Sequence, residues 1–351
     1  MPASPGYASG PERGPARAGG VLVCAMNWLG DSVMSLPALR AFRLARPGVR
    51  IVVLSKRKLA DFWRLCPAAD EIVELPGTLF GMIRLARRLR AERFAEALIL
   101  PNSFRSALTP FLARIPRRAG FRGHARSWML TRVIEPPADP ARRHQCHEMA
   151  AIFGVADCPL EPPRLAPPEE AEALARELLP GPGARWAALL PGAARGSSKR
   201  WPASSFAEVG RRLRDGFSCR IAVLGSAEEA DVCGYVAASI GSGAASLAGR
   251  TSLPVLAAVM SRCAVVVAND SGGMHLASAV NAPVVALFGG TDPSRTGPLH
   301  ARAITLQGAG KGRRDIARRS RAAGRALRGI GPDQVIEAAR RVMSQAPGLC
   351  Q

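Results

Sequence analysis

Tyrosine occurs twice in 351 residues, and aromatic side chains together make up 5% of the chain. A nucleic-acid surface that stacks bases needs aromatic platforms, and no nucleic-acid module is recognisable. Nucleic acid is therefore not expected as a partner, although the formal net charge is +21. Long apolar runs are also missing. No segment offers the ~20 continuous apolar residues of a membrane span, and the first twenty residues, rich in Gly, Pro, Ala and Arg, lack the apolar stretch of a signal peptide. A cytoplasmic protein with a disordered tail over residues 1–20 is the expectation. Eight cysteines are present, none in a Cys-x-x-Cys pair. Cys24, Cys66, Cys219 and Cys263 fall in or beside apolar segments, so buried thiols are expected rather than disulfides, and no metal site is expected.

What is there is a repeated alternation of buried strand and amphipathic helix. Strands are expected near 21–26, 51–54, 71–74 and 97–101, and again near 187–190, 220–224, 264–268 and 283–287. A chain of this length suits two cores better than one. The fold class is α/β, with two doubly wound Rossmann-like domains over 21–160 and 186–330. The Pro-rich stretch 161–185, which also holds a short charged helix pattern, joins them.

Three strand-to-helix turns concentrate the chemistry. Cys263 to Ala268 is an apolar, β-branched run that stops at Asn269-Asp270-Ser271-Gly272-Gly273, with a helix following at once. The amides of Ser271, Gly272 and Gly273 lie at the positive end of that helix, where small residues let a phosphate approach. The second turn follows another buried strand, in AALLPGAARGSSKRWP (187–202), where Gly192 and Ser198 lie in a small-residue loop before Lys199, a compact cation suited to a diphosphate. In an open parallel sheet a ligand lies beyond the carboxyl ends of the strands, so both loops should meet one crevice. The third turn, Asn27-Trp28-Leu29-Gly30, puts Asp31 at a helix start. There a carboxylate serves either as an N-cap or as a general base. Glu228 and Glu229 follow a strand where a ribose diol could be held, and are equally first-turn helix acids.

The segments NWLGDSVMSLPALRAFR, LPNSFRSAL, PGAARGSSKRWP, LGSAEEADVC, LAGRTSLPVLAAVMSRCAVVVANDSGGMHLASAV and APVVALFGGTDPSRTGPL run in this order from Val21 to Leu299. Together they resemble the ADP-heptose:lipopolysaccharide heptosyltransferases, glycosyltransferase family 9, and within that family its heptosyltransferase II branch. The resemblance implies a GT-B architecture, with the acceptor bound mainly by the first domain and the sugar nucleotide by the second. It also implies that the final helix, within 331–351, returns to pack on the first domain. The implied reaction moves L-glycero-D-manno-heptose from ADP-heptose to a heptose on heptosyl-Kdo2-lipid A, with inversion. Asp31 is then the base, and Lys199 with the amides of Ser271, Gly272 and Gly273 stabilises the departing diphosphate. Donor contacts are expected from Gly192, Ser198, Glu228 and Asp270, and further ones near Thr291 to Pro298. His275 either touches phosphate or merely packs. Asn102, Ser103, Arg105, Arg122 and Arg126 are the acceptor candidates, since arginine forks match carboxylates and phosphates. No cofactor is required, and magnesium stimulation is left open. The implied partners are ADP-heptose, a phosphorylated or acidic lipid A-core glycolipid and an anionic inner-membrane surface, with a peripheral place on its cytoplasmic face. Two other readings stand: a transferase of the same architecture with another donor or acceptor, or a non-catalytic nucleotide-binding protein in which Asp31 and Asp270 are only caps. Residues 307–328 depart from the family pattern, as a genuinely different loop or the product of a local frameshift.

Overall fold

Every strand of both sheets runs parallel, as expected where apolar, β-branched segments alternate with helices and each strand is covered on both faces. The computed structural model describes residues 19–123, 125–137, 143–194, 196–309 and 320–344. Most of the expected tail (1–18) and the middle of the divergent stretch (310–319) lie outside the described residues.

The first domain comprises β1 (Val21–Cys24), α1 (Leu29–Ala45), β2 (Ile51–Lys56), α2 (Arg57–Arg64), β3 (Glu71–Leu75), α3 (Leu79–Ala91), β4 (Glu96–Ile99), α4 (Phe104–Leu112), β5 (Arg117–Phe121), β6 (Arg132–Ile134) and α5 (Cys146–Phe153). A helix within the expected connection, α6 (Glu169–Leu178), precedes the second domain. That domain comprises β7 (Arg185–Leu190), α7 (Ala203–Phe217), β8 (Cys219–Val223), α8 (Ala230–Ile240), β9 (Ala244–Ser246), α9 (Leu253–Ser261), β10 (Cys263–Asn269), α10 (Gly272–Ala279), β11 (Val284–Phe288), α11 (Pro293–Thr296), β12 (Ala303–Gln307), α12 (Arg321–Arg328) and α13 (Pro332–Ser344). The strand orders are β3-β2-β1-β4-β5-β6 and β12-β11-β10-β7-β8-β9, the same doubly wound order in each domain. Both sheets reverse beside their first strand, so the β1/β4 and β7/β10 ends form the crevices.

All eight expected strands are present. The strands β5, β6, β9 and β12 are not among the expected ones; they lie at or beside sheet edges, and segments such as RRAGF and AAS carry little apolar signal. The connection 161–185 is less a linker than expected, since α6 docks on α9, with Glu172 paired to Arg262 at 3.0 Å. The final helix departs from expectation outright. The Val335, Ala338, Ala339 and Val342 stripe of α13 is buried against α7 and the β10–β12 face of the second sheet, not on the first domain. An amphipathic helix settles on the apolar surface it can cover, and here that surface belongs to its own domain. The last part of the divergent stretch is likewise integrated: α12 buries Ala323, Ala326 and Leu327 and packs beside Ser197–Lys199.

One continuous apolar cluster spans both domains, from Phe42, Phe62 and Trp63 to Met260, Met274 and Phe288. The described cysteines are free thiols, and burial pushes Cys24 and Cys263 up to about 12.

Candidate active site between the two sheets

The carboxyl end of β10 organises the second-domain half of the site. Asn269 is fully buried; its Oδ1 accepts from the Trp201 amide at 3.0 Å, and its Nδ2 donates to the carbonyls of Pro191 at 2.8 Å and Gly192 at 3.3 Å. This one amide binds the loop after β7 to the end of β10. The Trp201 indole donates to the Ile330 carbonyl at 3.0 Å and meets Phe206 edge-on, which anchors the far end of that loop. Lys199, two residues earlier on a 3-10 turn (Ser197–Lys199), is thereby aimed at Asp270, with Nζ 2.5 Å from Oδ2. Both side chains are nearly buried, at 11% and 7% exposure, and the Thr291 hydroxyl donates to the same carboxylate oxygen. Asp270 is thus an engaged carboxylate rather than a cap.

The helix α10 begins with Ser271 in extended backbone, and no side chain caps it. Its first amides therefore face the crevice with the positive end of the helix behind them. The glycines here have a further reason beyond phosphate access. A Cβ on Gly272 would stand 2.9 Å from Leu29 Cβ, one on Gly273 would stand 2.3 Å from Leu190 Cδ2, and one on Gly30 would stand 2.8 Å from His275 Cδ2. Without these three glycines, α10 could not approach both α1 and β7. The result is two helix starts, one from each domain, in contact at the crevice. Asp31 lies in the first turn of α1, half-buried, on the first-domain side of that contact. The N-cap of α1 is Trp28, whose side chain makes no cap bond, and Asp31 stands at the third position of the helix. His275 is buried against Gly30, and burial pushes its imidazole down to about 4, against a smaller upward pull from Asp270. It is a neutral ring at neutral pH, which suits packing or a single hydrogen bond better than charge pairing with phosphate.

On the nucleotide side, Ser198 is buried and its hydroxyl has no hydrogen-bond partner among the described residues. Glu229 closes a capping box, its Oε2 accepting from the Ser226 amide at 2.9 Å while its carboxylate lies over Gly192. Glu228 is exposed, and bonds from its own amide and the Ser226 hydroxyl hold its carboxyl below the ordinary range.

The first-domain candidates divide. Asn102 and Arg105 lie after β4, Arg122 stands exposed after β5, and Ser103 is the cap of α4, accepting from the Ser106 amide at 3.3 Å. One nitrogen of Arg105 donates to the Pro76 carbonyl at 3.2 Å and to that of Gly77. Arg126 does not fit its expected part. It is fully buried, and its guanidinium donates to the carbonyls of Phe121 and Pro101, to the Ser106 hydroxyl at 3.0 Å and to Asn102 Oδ1 at 3.4 Å. A fork spent on these groups has no face left for an acidic sugar; it braces the loops that carry Asn102. Two cations escaped the sequence reading. Lys56 ends β2 and Lys58 lies 4.9 Å over the Trp28 ring. Burial, followed by repulsion from Lys58 and Arg105, holds the Lys56 ammonium below the ordinary range. A lysine closing a buried strand, with a second two residues on, was the available signal.

A second seam fixes the domains relative to each other. Arg295 pairs with Glu148 at 3.3 Å, both nearly buried, and the Gln145 amide donates to the Arg295 carbonyl at 2.9 Å. His144 Nδ1 accepts from the Cys146 amide at 3.2 Å, which leaves Nε2 to donate to the Gly297 carbonyl at 3.1 Å. Burial lowers the His144 pKa, consistent with this neutral form.

Residues 82–323 match glycosyltransferase family 9 (heptosyltransferase). Lipopolysaccharide heptosyltransferase 2 of Salmonella typhimurium is 32% identical over 306 residues, covering 82% of this chain and 87% of that protein. The structure of E. coli ADP-heptose lps heptosyltransferase II superposes with a TM-score of 0.82 at 28% identity, covering 93% of this chain and 99% of that one. An E. coli heptosyltransferase solved with ADP gives a TM-score of 0.71 at 18% identity over 92% of this chain and 99% of that one, a likeness of fold. With the two-sheet crevice shared and the sequence similarity running through both domains, the chain belongs to glycosyltransferase family 9 and is a glycosyltransferase of GT-B architecture.

Proposed function

We propose that this glycosyltransferase moves L-glycero-D-manno-heptose from ADP-heptose to the inner-core heptose of heptosyl-Kdo2-lipid A, inverting the anomeric centre in one displacement. The observation that carries the reading is the contact between α10, with Lys199 and Asp270 beside its start, and the first turn of α1, which bears Asp31. A departing diphosphate and an incoming hydroxyl need opposite assistance at one point, and the contact between the two helix starts supports that reading. The names of the similar proteins point to heptose as the sugar.

In the displacement, the acceptor oxygen forms a bond to the anomeric carbon while the bond from that carbon to the diphosphate oxygen breaks, its electron pair leaving with ADP. Asp31 takes the proton of the attacking hydroxyl. The ammonium of Lys199 and the amides of Ser271, Gly272 and Gly273 stabilise the charge that grows on the diphosphate. Such a leaving group needs no protonation, unlike the alkoxide released by a glycosidase with its two carboxylates. Asp270, held by Lys199 and Thr291, presents its carboxylate to heptose hydroxyls. Glu228 takes the ribose diol, its neighbour Glu229 being spent on the capping box. Ser198 offers an unengaged hydroxyl to the donor, with Gly192 leaving room beside it. Asn102, Arg105 and Arg122 face the acidic groups of the acceptor. A lipid-linked acceptor implies action at the cytoplasmic face of the membrane that holds it. Among the described residues no helix is long and apolar enough to cross a membrane, so attachment there would be peripheral.

The test is incubation of the purified protein with ADP-heptose and, separately, Kdo2-lipid A and heptosyl-Kdo2-lipid A, followed by mass spectrometry. Addition of one heptose to the second acceptor alone is the expected result. Addition to the first alone, or to neither by folded protein, would overturn the assignment.

A further inference from the structure

The outer face of the first domain carries an apolar patch that the proposed chemistry does not use. Among the described residues, nine large hydrophobic side chains are exposed, and five of them, Leu79, Phe80, Phe104, Leu112 and Trp128, lie on α3, α4 and the short turn Ser127–Met129 beside them. Phe80 is 76% exposed at the start of α3. Trp128 is 62% exposed although it stands edge-on against Phe111 at 5.0 Å and lies 6.3 Å from Phe104. The helices α3 and α4 pack together, and the bonds from Arg105 to Pro76 and Gly77 tie their starts. Exposed large rings gathered in one place are unusual on a protein surface and call for a partner.

The charge around the patch has one sign. From Leu75 to Ala91 there are four arginines, and from Ala97 to Ile134 seven, without an aspartate or glutamate in either stretch. Arg87, Arg90 and Arg114 line the groove between α3 and α4 together with Leu112 and Phe111, the ring that meets Trp128 edge-on. Rings that seek the headgroup layer, fringed by cations that seek lipid phosphates, form the pattern of an interfacial surface.

We propose that the α3–α4 face docks the protein on an anionic lipid bilayer, with Phe80 and Trp128 entering the headgroup region and the neighbouring arginines pairing with lipid phosphates. This rests on the reading of a lipid-linked acceptor. Both helices begin at carboxyl ends of strands, the edge of the sheet that also carries Asn102 and Arg105, so docking turns the acceptor crevice toward the bilayer.

The experiment needs no substrate. Full-length protein is sedimented with vesicles of phosphatidylethanolamine and phosphatidylglycerol, and with vesicles of phosphatidylcholine alone. Binding to the first, weakened by salt, is expected, with little binding to the second. Phe80→Ser with Trp128→Ser, and separately Arg87→Glu with Arg90→Glu, should each reduce anionic-vesicle binding by about tenfold or more. Both variants should turn over a deacylated, water-soluble acceptor at the native rate. Unchanged vesicle binding by the variants, equal binding to neutral vesicles, or a lipid-free dimer that shields Trp128 would overturn the proposal. Absence of heptose transfer by native protein whose vesicle binding follows the expected pattern would overturn the functional reading and leave the docking face standing.

Discussion

Lys199 offers a test that separates architecture from chemistry. Its ammonium and the Asp270 carboxylate stand 2.5 Å apart with side-chain exposures of 11% and 7%. At an effective dielectric of ~20, two unit charges at that separation attract by about 6–7 kcal/mol, and desolvation of the two ions offsets several kcal/mol of it. The Lys199→Met substitution removes one charge and leaves Asp270 buried with only the Thr291 hydroxyl from the original pair of partners. Loss of one member of a buried pair costs about 3–5 kcal/mol. Urea unfolding of Lys199→Met, followed by fluorescence and circular dichroism, should register a loss of that size. Combining Lys199→Met with Asp270→Asn removes the stranded charge and should restore most of the stability. Turnover should behave differently. If Lys199 stabilises the departing diphosphate, kcat for ADP release falls by about 10²–10³ in the single variant, and the double variant does not regain it. Recovery of turnover together with stability in the double variant would refute the catalytic role and reduce Lys199 to a structural partner of Asp270.

Three further outcomes follow from the site. Asp31→Asn should lower kcat by about 10²–10⁴ while leaving the Michaelis constant for the donor and the melting temperature near native; near-normal turnover at saturating substrate would remove Asp31 from the chemistry. His275, with its pKa depressed to about 4, stays neutral in the folded protein while the unfolded chain takes up a proton near the ordinary histidine value of about 6.5. Its contribution to stability is therefore complete above ~6.5 and declines as pH falls toward ~4, by about 1.4 kcal/mol per unit, and His275→Gln should flatten that slope in a series of unfolding curves. Gly30→Ala would press a methyl group to 2.8 Å from the His275 ring, and overpacking of this kind should cost about 1–3 kcal/mol in urea unfolding, whereas Gly48→Ala, with open space around it, should not.

Much of the fold was legible because buried parallel strands are written in contiguous apolar residues: Val21–Cys24, Ile51–Lys56, Cys263–Asn269 and Val284–Phe288 follow from their side chains alone. The three strand-to-helix turns were equally plain, since glycine and a polar residue at a strand end carry a local signal. Local sequence is silent on who faces whom. Arg122 and Arg126 look alike in the chain, yet one is exposed and the other is buried and bonded to the carbonyls of Pro101 and Phe121, which only the pairing of β4 with β5 could decide. The same holds for α13: its amphipathic pattern announces a packed helix, but the surface it covers depends on where the second sheet leaves apolar area uncovered. The amino-acid sequence by itself therefore determined two doubly wound domains and the loops that could hold a sugar nucleotide. Tertiary structure decided that Asn269 binds the Lys199 loop to β10, that Lys199 meets Asp270, and that Gly30 and Gly272 let the two helix starts touch. These are contacts between residues tens to hundreds of positions apart, set by chain crossing and close packing rather than by any periodicity along the sequence.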